Sequence, residues 1–368
     1  MRVVHVAPTP FSITGVLGGG ERYPLELARS LAKRVSCQLV TFGPRAERRR
    51  DPDGLDVRVL PARGYLGGHP AHPISLGVVQ AVRHADLVHV HQMGSLPSRL
   101  AAVAARARGK PVVVTDHGLP GSRWGGLALR LFDAFLLVSS FSTRVLGAPP
   151  ERTHVIYGGA DPERFAPGPG PRRGVLFVGR ITPHKGIEHL LLALPPGVPL
   201  TVAGSEGHDR HPPERDYPAF VRCLAAGQRV CFVTPAAEDA LPDLYRGAQV
   251  FVLPSVKQTV YGRQVRISEL LGLAAIEAMA SGTPVVCSRV GGLVEVVEEG
   301  VTGFLVEPGD VPALRERVEA LVGDGALAAT MGAAARQRVL ERWTWDACAT
   351  RCLDAYEQVL TRAKRGRP

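Results

Sequence analysis

The chain has 368 residues, a formal net charge of +10, 45% hydrophobic and 21% charged residues. That length exceeds one ordinary hydrophobic core and points to two domains. No apolar run is long enough to span a membrane, and the start Met1-Arg2-Val3-Val4-His5-Val6-Ala7-Pro8 lacks the apolar stretch and cleavage region of a signal peptide.

Taken in order, residues 2–7, 37–42, 57–60, 87–90, 111–115, 135–138 and 153–156 read as strands, and Leu25, Ala28, Leu31 and Val35 mark an amphipathic helix. The strand runs are continuously apolar rather than alternating. Such strands are buried on both faces, which predicts a parallel sheet with helices on either side. The stretch Ala166-Pro167-Gly168-Pro169-Gly170-Pro171-Arg172-Arg173-Gly174 reads as a linker. Beyond it, 175–178, 200–203, 230–233, 250–253 and 285–287 repeat the strand pattern. Asp310 and Pro312 start a helix with core face Leu314, Val318, Leu321 and Val322, and a last helix runs from Trp345 to about Lys364. The expectation is an α/β chain of two doubly wound Rossmann-like domains facing across a cleft, with ligands at the C-terminal strand ends.

Five stretches carry candidate chemistry. Gly18-Gly19-Gly20-Glu21-Arg22 lets a backbone approach a phosphate or sugar closely, though a plain flexible loop fits equally, and it is not the G-x-G-x-x-G of dinucleotide binders. Asp86-Leu87-Val88-His89-Val90-His91 is a strand whose two histidines share a face. His89 reads as a structural histidine, His91 sits at the strand end, and no third ligand has the spacing for a metal. Thr115-Asp116-His117-Gly118 also ends a strand, and His117 is the better catalytic or substrate-orienting candidate. In Gly179-Arg180-Ile181-Thr182-Pro183-His184-Lys185-Gly186, two cations on one strand–helix loop can both reach a diphosphate. Glu269 and Glu277 flank a helix start near Gly272, where free amides and the helix dipole favour an anion and the carboxylates accept from hydroxyls. The alternative is an amphipathic helix with two solvated glutamates.

The six cysteines (Cys37, Cys223, Cys231, Cys287, Cys348, Cys352) form no C-x-x-C pair and read as reduced core thiols of a cytoplasmic protein. The positive charge suits an anionic substrate or an acidic membrane surface. Arg45, Arg48, Arg49 and Arg50 form a basic loop that a membrane or plain solvent would satisfy. Nucleic acid is not expected, because aromatics are 6% and no basic stretch interleaves with them.

Together these motifs resemble glycosyltransferase family 4, retaining nucleotide-sugar-dependent enzymes of the GT-B fold. The resemblance covers nearly the whole chain. It is most specific in the E-x7-E spacing that runs into Glu277-Ala278-Met279-Ala280-Ser281-Gly282-Thr283-Pro284-Val285-Val286, with Gly291-Gly292-Leu293 and Gly300-Val301-Thr302-Gly303 beyond. It implies an acceptor-binding domain at 1–166, a nucleotide-sugar-binding domain at 167–345, and a C-terminal helix (346–368) packed back on the first. It further implies that Glu277 binds the ribose and Glu269 the transferred sugar. Arg180 and Lys185 would neutralise the diphosphate, helped by amides near Gly272 and Leu273. His117 would lie near the reacting sugar with His91 on the same rim, and Gly18, Gly19 and Gly20 would close on phosphates or acceptor. Charge building on the leaving diphosphate would be met by the two cations and the helix dipole, without a metal or other cofactor. The implied activity is transfer of a hexose or N-acetylhexosamine, from a donor expected to be UDP-linked, to a hydroxyl or similar nucleophile of a small-molecule, glycan or lipid acceptor, with retention.

Three departures stand against the family pattern. Segment 256–267 is longer than usual and carries Lys257, Arg263 and Arg266; it reads either as a reader of an anionic group, a lid, or a solvated insertion. Tyr157-Gly158-Gly159-Ala160-Asp161 replaces Asn-Gly-Val-Asp, and Thr234 stands where glycine is common near the base. The other readings are a GT-B phosphorylase or other nucleotide-sugar enzyme, and a non-catalytic nucleotide-sugar or nucleic-acid binder.

Overall fold

A computed structural model of the chain describes residues 1–8, 19–69, 71–117, 126–206 and 213–365. The described residues form two compact units, Met1–Gly158 with Trp345–Pro368, and Gly159–Thr344. Gly18 and Gly118 lie outside the described residues.

The first unit holds an eight-stranded sheet built from β1 (Arg2–Val6), β2 (Ser36–Gly43), β3 (Glu47–Arg50), β4 (Asp56–Pro61), β5 (Leu87–His91), β6 (Val112–Thr115), β7 (Ala134–Leu137) and β8 (Thr153–Val155), in the order β3-β4-β2-β1-β5-β6-β7-β8. All pairings are parallel except β3–β4. The central strands are buried at nearly every position, as continuous apolar runs require. β3 is the departure: Glu47-Arg48-Arg49-Arg50 reads as a basic loop, yet it is an antiparallel edge strand exposed at all positions. Its charges, with Arg48 paired to Asp56 at 2.9 Å, blunt the open edge against further pairing.

The second unit carries β9 (Val175–Val178), β10 (Leu200–Ala203), β11 (Val230–Val233), β12 (Val250–Leu253), β13 (Val285–Ser288) and β14 (Gly303–Val306), ordered β11-β10-β9-β12-β13-β14 and parallel throughout. β14 has no separate strand signal in the sequence, since its apolar run is short and starts on a glycine.

The division between units falls at Gly158/Gly159, ahead of the Pro/Gly stretch. Residues after Gly159 are already tied into the second unit: Ala160 N–H donates to Trp343 O at 2.9 Å, Arg336 donates to Phe165 O at 3.1 Å, and the Phe165 ring packs on Tyr245. Arg172, inside the Pro/Gly stretch, donates to Ser281 O at 2.7 Å and to the Thr283 hydroxyl. The stretch is therefore an anchored segment of the second unit.

The helix Trp345–Arg365 belongs to the first unit. Its buried face, Trp345, Cys348, Ala349, Cys352, Ala355, Tyr356 and Val359, follows helical spacing and packs on the helix Gly19–Ala32. Ser30 Oγ donates to Asp346 Oδ1 at 2.5 Å and Arg34 Nη1 to Thr350 Oγ1 at 2.6 Å. Of the cysteines, Cys37, Cys287, Cys348 and Cys352 are core residues. Cys223 and Cys231 are exposed, a correction to the sequence reading: Cys231 lies on the edge strand β11, where one face meets solvent. No single helix among the described residues is long and apolar enough to cross a membrane.

Helix Gly325–Arg342 crosses the end of helix Leu273–Ala280 at Gly332, where a side chain would bring Cβ to 2.2 Å from Gly282 O. Gly332→Ala should lower stability by about 1–3 kcal/mol, the usual cost of overpacking. Gly323→Ala, with nothing within 4 Å, should be neutral or gain up to about 1 kcal/mol from helix propensity. Chemical denaturation of the two variants tests the difference.

Candidate active site

In the second unit, the loops after β9, β12 and β13, at the C-terminal ends of parallel strands, bring the site residues together. The loop after β9 carries Arg180 and Lys185, the end of β12 runs into Ser255, and the segment before helix Leu273–Ala280 carries Glu269. Glu269 is 9% exposed. Its Oε1 accepts from Lys185 Nζ and, at 2.8 Å, from Ser255 Oγ. Burying a carboxylate is costly unless it is paired and hydrogen-bonded, and both conditions are met here. Gly291, at φ +55°, lets the next loop pass: a Cβ there would stand 1.8 Å from Glu269 O, and the Gly292 amide donates to that same oxygen at 3.2 Å.

The sequence groups Arg180 with Lys185, but the structure separates their states. Lys185 is held by Glu269, whereas Arg180 is exposed and its guanidinium has no hydrogen-bond or ion-pair partner among the described residues. Gly272 caps helix Leu273–Ala280 in the left-handed region, at φ +99°, where Leu293 leaves no room for a side chain. The amides of Leu273 and Ala274 have no partner among the described residues and so are open to an anion. Glu277 is buried in that helix and accepts from the Tyr245 hydroxyl at 2.9 Å. Tyr245, on helix Leu241–Gly247, carries no sequence signal beyond an apolar position; only packing reveals its role.

Segment 256–267 is neither loose nor uniformly available. It folds back through a Gln258–Gln264 bridge, and Val265 N–H donates to Lys257 O at 2.7 Å. Arg263 Nε donates to the buried Glu214 at 2.6 Å, so this guanidinium is already committed to an acid. Lys257 remains exposed.

In the first unit, Gly20 and His117 are neighbours: a Cβ on Gly20 would lie 3.8 Å from His117 Cβ. His117 follows β6, its amide donates to Gln92 Oε1 at 3.4 Å, and its ring lies tilted against that of Tyr23, centroids 4.7 Å apart. Tyr23 is pinned by donation to Tyr157 O. His91 does not share an open rim with His117. It is fully buried, because β5 is central, and its Nδ1 lies 3.4 Å from His117 Nε2. Contact between His91 and a ligand therefore runs through His117. His89 is a hydrogen-bonded core residue, 2.7 Å from Tyr356 Oη and 2.8 Å from Thr115 Oγ1. The sequence gives no third histidine at metal spacing, but parallel pairing sets His5 of β1 opposite His89. Ring nitrogens of His5, His89 and His91 come within 4.8 Å of one another.

Burial lowers His5 and His117 to about 3. Burial first, then the neighbouring imidazoles, holds His89 and His91 well below the ordinary value near 6.5. All four are neutral at pH 7.

The geometry is that of an enzyme with two parallel α/β units, whose second unit presents carboxylates, a lysine, a free arginine and open helix amides at its strand ends. Family models agree: "Glycosyl transferases group 1" matches residues 161–338 and "Glycosyltransferase Family 4" matches residues 17–164. The chain is 30% identical to D-inositol 3-phosphate glycosyltransferase 1 of Catenulispora acidiphila, over 96% of this chain and 94% of that one. It is 31% identical to D-inositol 3-phosphate glycosyltransferase of Xylanimonas cellulosilytica, over 98% and 97%. In fold it is similar to sucrose-phosphate synthase from Thermosynechococcus elongatus (TM-score 0.75, 22% identity, 98% of this chain and 100% of that one). It is also similar to Anabaena HepE in complex with UDP-glucose (TM-score 0.75, 21% identity, 97% and 100%). The chain belongs to glycosyltransferase family 4, has the GT-B fold and is a glycosyltransferase.

The neutral histidines make stability depend on pH. Unfolding returns each imidazole to a value near 6.5, so below that pH the unfolded chain binds protons that the folded chain refuses. Their contribution to stability is full above about pH 6.5 and is lost progressively as pH drops from there toward the lowered folded-state values, about 3 for His5 and His117. Calorimetry of His5→Val between pH 7.5 and 4.5 should give a shallower fall of Tm than the parent protein; equal slopes would contradict the neutral assignment.

Proposed function

We propose that this glycosyltransferase moves a hexose or N-acetylhexosamine from a UDP-linked donor to a hydroxyl of a phosphorylated cyclitol, with retention at the anomeric carbon. The observation that carries the reading is the set formed by Lys185, Glu269 and Ser255 beside the open amides of Leu273 and Ala274. It combines cationic and amide donors for a diphosphate with a fixed acceptor for sugar hydroxyls. The acceptor class is suggested by the names of relatives at 30–31% identity, D-inositol 3-phosphate glycosyltransferases, and the base by HepE, whose structure holds UDP-glucose.

In this reading Glu277, braced by Tyr245, accepts from the ribose hydroxyls, and Glu269 accepts from hydroxyls of the transferred sugar. As the glycosyl–phosphate bond breaks, negative charge grows on the departing diphosphate. Lys185 has three donors, so it can keep Glu269 and still reach a phosphate oxygen. Arg180 adds a second, unengaged cation, and the helix N-terminus adds fixed dipoles that need no reorganisation during the reaction. His117, neutral and next to Gly20 in the first turn of helix Gly19–Ala32, is assigned to the sugar. Gly19 and Gly20 are assigned to the phosphates or acceptor. The donor is a cosubstrate, and no resident cofactor is assigned.

Calorimetric titration with UDP-, GDP- and ADP-glucose should show binding to the UDP sugar at the lowest Kd. Turnover with inositol 3-phosphate should yield a product whose anomeric proton signals keep the donor's configuration. Preference for another base, or inversion, would overturn that part of the reading.

Arg180→Ala should leave Tm unchanged, because the side chain is exposed, while lowering kcat/KM by about 2–4 kcal/mol, or roughly 30- to 800-fold. Glu277→Ala should mainly raise donor Kd, and Glu269→Ala should depress kcat more than donor binding. Near-normal turnover in Arg180→Ala would remove its role at the diphosphate.

A further inference from the structure

The first unit contains an unbroken line of buried polar contacts that begins at His117. His117 Nε2 lies 3.4 Å from His91 Nδ1, His91 Nε2 lies 3.1 Å from His5 Nδ1, and His5 Nε2 lies 3.4 Å from Tyr356 Oη. Tyr356 Oη lies 2.7 Å from His89 Nδ1, and His89 Nε2 lies 2.8 Å from Thr115 Oγ1. Three strands and the C-terminal helix supply it: His5 on β1, His89 and His91 on β5, Thr115 on β6, and Tyr356 on Trp345–Arg365. His5, His89, His91, Thr115 and Tyr356 are all 0% exposed. The His91 and His117 rings are nearly coplanar, 9° apart.

A neutral imidazole carries one N–H and one bare nitrogen, and each contact needs one proton and no more. Tyr356 also hydrogen-bonds the Cys352 thiol, so its hydroxyl can donate or accept along the line, but these two facts leave the His117–His91–His5 part only two self-consistent polarities. In one, His91 Nδ1–H donates to His117, His5 Nδ1–H donates to His91, Tyr356 donates to His5, and His117 must hold its own proton on Nδ1. In the other, every imidazole is the opposite tautomer, and His117 Nδ1 is bare. A mixed arrangement leaves two donors or two lone pairs face to face in a dry interior, at the cost of an unmade buried hydrogen bond. Nδ1 of His117 has no partner among the described residues, and His117 is the one partly exposed ring of the four.

We propose that His91, His5 and Tyr356 are positioning residues for the transfer reaction: they form one hydrogen-bonded chain that fixes which tautomer His117 presents to the sugar. The proposal rests on the reading of His117 as a sugar contact. It requires no proton to travel along the chain; the chain ties the tautomer at His117 Nδ1 to whether the Tyr356 hydroxyl donates to His5 or accepts from it. The same imidazoles offer nitrogens within 4.8 Å of each other for a metal, but those atoms are the ones the chain uses.

The test uses the full chain labelled with 15N at histidine side chains, with His117 assigned by the loss of its signals in His117→Ala. Long-range 1H–15N spectra at pH 7.5 should show four neutral imidazoles in single tautomers. Tyr356→Phe, which keeps the ring and removes the hydroxyl, should shift the His117 pattern toward a mixture. It should also lower kcat for UDP-glucose, read as UDP release, by roughly tenfold or more, with donor KM within about twofold. His5→Gln, whose amide can donate and accept, should retain more turnover than His5→Val. Unchanged His117 signals in Tyr356→Phe would overturn the proposal whatever happened to kcat, since a purely structural loss would leave the tautomer alone. One equivalent of zinc in the purified protein would also overturn it. Full turnover in His117→Ala would instead remove the reading of His117 itself, and the nitrogen spectra would still decide whether the chain exists.

Discussion

Glu269 sits at 9% exposure beside the ends of parallel strands, and a carboxylate in that position must be answered locally. Lys185 and Ser255 answer it. To do so, the loop after β9, the end of β12 and the segment before helix Leu273–Ala280 must converge within hydrogen-bonding distance. Gly291 and Gly292 are small because they pass against the backbone of the same segment. The convergence of these segments satisfies that one charge.

The first unit meets the opposite demand. Alongside the buried Arg22 and Asp116, it encloses a cluster of neutral imidazoles and hydroxyls at His5, His89, His91, Thr115 and Tyr356, which need partners but no counter-charge. A neutral network can be wholly buried in a parallel sheet, where an ion pair of the same size would carry a large desolvation penalty. The two units thus differ in emphasis: a paired carboxylate at the strand ends of the second, a directional neutral network inside the first. The C-terminal helix joins that neutral network, because Tyr356 is both a packing residue and a hydrogen-bonding one.

Resident charge is used economically. Arg263 is tied to Glu214, Arg172 to the turn at Ser281–Thr283, and Arg336 to backbone carbonyls. A net charge of +10 is therefore a poor guide to which cations meet an anionic substrate. The exposed, unengaged Arg180 stands out only once the others are seen to be occupied.

The sequence by itself determined the strands of both sheets other than β3 and β14, the amphipathic helices with a clear core face, the pairing of Glu269 and Glu277 around a helix start, and the family. These are local patterns: continuous apolar runs, a glycine at a helix start, carboxylates at fixed spacing. It missed β3, because a charged edge strand lacks the apolar signal, and it set the unit boundary at the Pro/Gly stretch, whose anchoring by Arg172 is a long-range contact. It placed His91 on a rim and saw no third histidine near His89. Only the tertiary structure decided those points, because parallel pairing sets residues distant in sequence side by side: His5 faces His89 across β1 and β5, and Tyr356 arrives from the far end of the chain. Spacing along a chain fixes which side chains share a face; which faces then meet is settled by packing.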